Sequence, residues 1–144
     1  MDPAYTDKLL DTLNLAATSP GSEHKAVLFR VYAGIIEGNF DALREAAASH
    51  VEFTISGFEP MAGTWRGHDA VVQATKTNFA QVGSQKPVIE GMIADGDSVA
   101  VMIRESGVMQ ATGQPYLVRA VQWFTFSEGK IVRIDQVVAS IPTV

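Results

Sequence analysis

Residues 116–140 read YLVRAVQWFTFSEGKIVRIDQVVAS, two alternating runs joined by a turn. Side chains along a strand point to opposite faces with period two. In the first run Val118, Ala120, Gln122, Phe124 and Phe126 share one face; Leu117, Arg119, Val121, Trp123 and Thr125 share the other. In the second, Val132, Ile134, Gln136 and Val138 oppose Ile131, Arg133, Asp135 and Val137. SEG at 127–129 suits a three-residue hairpin loop with Gly129 in the left-handed conformation. That loop sets Phe126 opposite Lys130 and Ala120 opposite Gln136.

The preceding run, SVAVMIRESGVMQ at 98–110, continues the pattern. Val101, Ile103, Glu105, Gly107 and Met109 lie on one face, and Ala100, Met102, Arg104, Ser106 and Val108 on the other. A loop over QATGQP places Met109 opposite Tyr116 and hence Glu105 opposite Ala120. Glu105, Ala120 and Gln136 then form one row across three strands, with the small Ala120 leaving room between two polar tips. VIEGMIAD at 88–95 is a further strand, entered into the meander through the turn residues DGD.

Upstream the period changes. Ser22 is a candidate N-cap for a helix through EHKAVLFRVYAGIIEG, where Val27, Leu28, Val31, Tyr32, Ile35 and Ile36 make a broad apolar face. Gly38-Asn39 ends it. FDALREAAAS reads as a short helix, HVEFTIS as a strand and GFEPMAGTWRG as a loop. HDAVVQATKTNFAQV reads as a helix with Ala70, Val71, Ala74, Asn78 and Val82 on one side. Residues 4–17 carry Leu9, Leu10, Leu13 and Ala17 at helical spacing, and TSPGS then breaks the pattern. The expected division is an extra N-terminal helix and linker over 1–21 and one domain over 22–144. Helices followed by a meander predict an α+β fold, with helices packed on one face of a curved antiparallel sheet.

Composition narrows the function. The 144 residues carry a formal charge of −5 with scattered Lys and Arg, which argues against a nucleic-acid partner. With no cysteine, thiol chemistry and Cys-containing zinc sites are excluded. His24, His50 and His68 lack close metal-ligand spacing and read as surface or capping residues. Trp65 reads as a packing residue on the loop. The acidic N-terminus has no apolar segment of a leader or a membrane span, so a cytoplasmic, soluble chain is expected.

Alternation puts Arg104, Arg119, Arg133 and Asp135 on one face and Glu105, Gln122 and Gln136 on the other. The Arg face also carries Met102, Val121, Trp123 and Val137, more apolar surface than solvation needs, which suggests a partner subunit. On the opposite, mostly apolar face Glu105 is an isolated carboxylate, and such a group is almost never fully buried unpaired. Two environments fit it. Desolvation would raise its pKa and make it a general acid or base; a cavity rim, or Gln136, Tyr32 or a water, would satisfy it structurally.

The order of VYAGIIEGNFDALREAAASHVEF, GTWRGHDAV and TGQPYLVRAVQWFTFSEGKIVRIDQVV resembles SnoaL-like proteins of the nuclear-transport-factor-2-like, or ketosteroid-isomerase-like, superfamily over about residues 24–140. The resemblance implies a cone-shaped, cystatin-like α+β barrel closed by helices around an apolar pocket, and a homodimer through the outer sheet face. It implies a pocket wall of Tyr32, Ile35, Phe53, Ile55, Asn78, Val82, Ile103, Glu105, Val118, Ala120, Gln122, Ile134, Gln136 and Val138. Asn78 is either a pocket donor or a solvated edge. The catalytic base of ketosteroid isomerases falls on Ile55. Of the Asp-Arg-Asp set of limonene epoxide hydrolases, the first Asp falls on Glu105, the Arg on Ile103 and the second Asp on Gln136. Neither familiar set is complete.

Two readings follow. One is a cofactor-free isomerase, cyclase or hydrolase acting on an apolar cyclic or polyketide-like molecule, with Glu105 as acid or base and Gln136 as its catalytic neighbour. The other is a non-catalytic ligand-binding or dimeric assembly domain. Neither needs a metal or a membrane.

Overall fold

The computed structural model describes residues 4–8, 11 and 22–142. Within the described span 22–142, three α-helices, α1 (Ser22–Ile36), α2 (Asp41–Ala46) and α3 (His68–Ala80), accompany six strands. The strands are β1 (Ala47–Ser56), β2 (Gly63–Arg66), β3 (Val82–Asp95), β4 (Ser98–Met109), β5 (Pro115–Ser127) and β6 (Lys130–Ser140). They form one curved sheet in the order β2-β1-β6-β5-β4-β3. Among the described residues, no helix is long and apolar enough to cross a membrane.

Leu28, Val31 and Ile35 recur at the spacing of one helical face, and the first two are fully enclosed. The helix stops in a Schellman arrangement. Asn39 N–H donates to the Gly34 carbonyl (2.7 Å) and Gly38 N–H to that of Ile35 (3.0 Å), with Gly38 at φ +81°. The chain then turns back through α2. There Gly34 lets the two helices meet closely, since a Cβ on it would lie 2.7 Å from that of Ala42. α1, α2 and α3 close the concave face, where Val51, Phe53, Val99, Val101, Phe124 and Ile134 join one core.

The α+β expectation holds, with three differences. The sheet is open and does not close into a barrel, because β2 and β3 are its two edges. It is not wholly antiparallel: β1 lies beside β6 and runs parallel to it, pairing Phe53 with Ile134 and Ile55 with Gln136. GFEPMAGTWRG is not all loop, since Gly63–Arg66 zips onto β1 with Trp65 opposite Phe53. Their rings pack 5.8 Å apart, and four residues are too few for alternation to reveal a strand.

The expected registers slip by two. Ser127 pairs with Lys130, so Glu128 (φ +51°) and Gly129 (φ +77°) form a two-residue turn of the type I′ kind. A bulge beside Phe126 absorbs one further residue and turns Ile131 inward, contrary to simple alternation, where it is wholly enclosed. Gln136 therefore faces Gln122 instead of Ala120. At the other turn Met109 exchanges backbone bonds with Gln114 and Gly113, and Glu105 faces Val118 instead of Ala120. The two slips move Glu105 and Gln136 apart. They do not share a row.

Residues 4–8 are helical. The Tyr5 hydroxyl donates to the Pro87 carbonyl, on the strand paired with Glu105. Leu9, Leu10, Leu13 and Ala17, which carried the helical pattern, lie outside the described residues.

Candidate functional site

Beneath the helices the concave face encloses a cavity of about 200 Å³. Its wall brings together Tyr32, Ile35, Phe53, Ile55, Asn78, Val82, Ile103, Glu105, Val118, Ala120, Gln122, Ile134, Gln136 and Val138. For the members on β4, β5 and β6 the shared location follows from parity, which a two-residue slip preserves; Tyr32, Ile35 and Asn78 come from the helices above. The wall also contains residues absent from the expected set, among them Phe58, Met61, Phe79, Gln85, Pro87 and Tyr116. Tyr116 was accessible to reasoning: it lies two residues before Val118 and so on the same face. Pro87 faces Glu105 from β3, which begins at Val82 and not at Val88. Gln85 lies within a bulge between Gly83 and Lys86 that no residue pattern announces.

Polar groups occupy two ends of an apolar floor. At one end Tyr116 donates to Glu105 Oε2 at 2.7 Å. Gly107 makes this bond possible. It stands opposite Tyr116, and a Cβ there would meet the phenol oxygen at 2.6 Å. The tyrosine ring thus lies over the missing side chain and reaches the residue two positions along β4. Burial pushes the Glu105 carboxyl above the usual carboxylate range, while the Tyr116 bond acts in the opposite sense. Burial, the bond and the neighbouring charge all push the Tyr116 phenol upward, so it stays a donor. Burial and then the Glu105 charge also raise the Tyr5 phenol. The bond engages Oε2, leaving Oε1 for the cavity.

At the other end the amides form a relay. The Tyr32 hydroxyl donates to Gln122 Oε1, and Gln122 Nε2 donates to Gln136 Oε1 at 2.9 Å. Burial raises the Tyr32 phenol far above its ordinary range, which keeps its proton in place. Its ring is fixed edge-on to Phe124, with centroids 6.3 Å apart. Gln136 is therefore not the neighbour of Glu105 but the last member of a separate chain of hydrogen bonds. Asn78 also faces the cavity and accepts a long bond from Gln81 at 3.5 Å.

The remaining polar candidates lie elsewhere. His24 stacks on Phe126, His68 contacts Arg44 and Asp69 at the start of α3, and His50 is exposed on β1. None lines the cavity. Among the described residues no group of three or more His, Cys, Asp and Glu could hold a metal ion.

This arrangement is a helix-capped, half-open sheet around an apolar hollow. A family model described as the SnoaL-like domain matches residues 28–134. The chain belongs to the SnoaL-like domain family. Solved structures agree on the fold of this SnoaL-like chain. It is similar to an NTF2-like protein from Burkholderia thailandensis at 24% identity and a TM-score of 0.72, over 81% of this chain and 89% of that one. A putative SnoaL-like polyketide cyclase from Jannaschia matches at 19% identity and a TM-score of 0.72, over 83% and 88%. TerC, co-crystallised with polyporic acid, matches at 19% identity and a TM-score of 0.69, over 80% and 90%. No curated protein sequence matches the chain.

Proposed function

We propose that this SnoaL-like domain binds an apolar cyclic or polyketide-like small molecule in its concave cavity, with Glu105 as general acid or base. The observation that carries the reading is one desolvated carboxyl, positioned by Tyr116, at the edge of an apolar hollow. A carboxyl whose pKa is raised by burial is a stronger base once ionised, which favours proton transfer to it. The polyketide-cyclase and polyporic-acid neighbours make a ring-containing ligand a reasonable first choice. The test is NMR of cyclic ketones and 1,3-diketones in D₂O, following exchange of the proton next to the carbonyl. The wild-type chain should accelerate exchange on at least one of them, and Glu105→Gln should lower that rate about a hundredfold or more. An unchanged rate in the variant would remove Glu105 from the chemistry.

A second reading, ligand binding without turnover, is favoured by a specific observation. Ile55, Ile103 and Gln136 stand where the resemblance places the charged groups of ketosteroid isomerases and limonene epoxide hydrolases, and among the described residues Glu105 is the only carboxylate on the cavity wall. Binding of a ring compound without any Glu105-dependent exchange would select it.

The dimer belongs to this proposal as well. Met102, Val121 and Val137 face one another in a row across the convex side, and Trp123 follows. Trp123 and Val137 are 47% and 56% exposed, the kind of apolar patch that marks an interaction site. Light scattering should report a dimer for the wild type and a monomer for Trp123→Glu.

A further inference from the structure

The two ends of the cavity make different demands on a ligand. Glu105 pairs with Val118 and Gln136 with Gln122, so the two polar groups are set four residues apart along β5. At about 3.3 Å per residue that is roughly 13 Å along the strands, and the two strand spacings between β4 and β6 add about 10 Å across them, before the side chains lean inward over a concave floor. The floor between them is Ile103, Ala120 and Val138, one apolar row. Its middle member, Ala120, is the smallest side chain that still has a Cβ and takes the least room from the hollow between the polar ends.

At the amide end the hydrogen bonds run in one direction. Gln122 has its carbonyl taken by Tyr32 and one N–H given to Gln136, whose own carbonyl is thereby taken. What remains for a ligand at this end is donor capacity: the N–H groups of Gln136, strengthened by the chain behind them, and the second N–H of Gln122. It calls for an acceptor such as a carbonyl or hydroxyl oxygen. At the other end, Glu105 already accepts from Tyr116 and has a second oxygen available, which calls for a hydroxyl or an acidic C–H beside a carbonyl. Among the described residues no Lys, Arg or His lines the cavity to balance an anionic group.

Size sets a further limit. The cavity of about 200 Å³ exceeds the ~150 Å³ that holds one benzene ring and falls short of the ~300–1,000 Å³ of drug-sized pockets. We infer that the ligand is a neutral one- or two-ring molecule with an oxygen at each end, one directed at Glu105 and Tyr116 and the other at the Gln136 amide. This inference rests on the cavity being a small-molecule site, and it narrows that site's substrate class from ring compounds in general.

The probes are 2-naphthol, with one oxygen, 2,6-dihydroxynaphthalene, with one at each end, and 1-hydroxypyrene, with four fused rings. Their affinities for the full chain are read by calorimetry. The diol should bind at least tenfold more tightly than 2-naphthol, and hydroxypyrene more weakly than either. In Gln136→Leu the ratio of diol to 2-naphthol affinity should fall to near one. Should that variant fail to melt cooperatively, Gln122→Met interrupts the same relay and should have the same effect. Equal affinities in the wild type, or a diol preference that survives in the folded variant, would overturn the two-ended ligand. Tight binding of hydroxypyrene would overturn the size limit. If 2-naphthol binds but the diol gains nothing, only this inference fails; if neither binds, the small-molecule reading falls with it.

Discussion

Arg104 and Glu105 are neighbours in sequence and leave β4 on opposite faces of the same sheet. On the convex side the charges stay in water. Arg119 reaches Glu90 at 2.9 Å, Arg133 pairs with Asp135 at 2.9 Å, and Arg104 stands opposite Arg119 without being driven inward. On the concave side a single carboxyl meets an apolar wall, keeps one phenol as its partner and has its pKa raised by burial. The contrast shows that the effect of a charge is set by what surrounds it. A strand can carry both kinds because its period is two.

The strongest test of that contrast is to add one charge to each face. Ala120→Asp places an unpaired carboxyl on the enclosed floor and should destabilise the chain by about 3 kcal/mol. Val121→Asp, one residue away on the convex face, should cost about 1 kcal/mol or less. Chemical denaturation of the two variants measures both, and equal losses would abolish the distinction between the faces. Next in size is Gly107→Ala. Its Cβ would collide with the Tyr116 phenol, so a loss of about 1–3 kcal/mol is expected. Tyr116 should be displaced from Glu105, visible as a change in tyrosine ultraviolet absorption.

A smaller effect is a pH dependence. The folded chain holds the Glu105 proton more tightly than the unfolded chain, whose carboxyl titrates near ~4.3. Stability linked to this group is therefore complete below that value and is lost as pH rises through the raised folded value. Glu105→Gln has no such loss. Its stability relative to wild type should climb from acid toward neutral pH, and parallel curves would contradict the burial of the carboxyl. The least consequential substitution is on the convex side. Arg119→Met should give only a slight fall in melting temperature, diminishing with added salt as expected for an exposed pair.

The faces of the sheet were legible in the sequence because alternation is a local property. Val101, Ile103, Val118, Ala120 and Phe124 are where period two puts them, and the cavity wall follows from the same rule. Register was not legible, because it depends on turn geometry. Ser127-Glu128-Gly129 is compatible with a two- or a three-residue loop, and the adjacent bulge leaves no signature in composition. That ambiguity misplaced Gln136 and inverted Ile131, and the same uncertainty in the loop after Met109 misplaced Glu105, so that the two were expected in one row. The parallel docking of β1 on β6 is a long-range pairing with no local signal. Tyr116 is different: its partner Gly107 stood in plain view as a gap on the face of Glu105, and a large side chain opposite a strand glycine has the space to cross it.

Glu105 is a desolvated carboxyl held by Tyr116 at the edge of the cavity. The direct measurement is the titration of the side-chain carboxyl by NMR in chain labelled with ¹³C-glutamate, the resonance being assigned by its loss in Glu105→Gln. The account predicts a midpoint above that of the exposed glutamates. It also predicts a further rise in Tyr116→Phe, because the bond from Tyr116 is the influence that lowers the value. A midpoint at or below those of the exposed glutamates, unmoved in Tyr116→Phe, would contradict it.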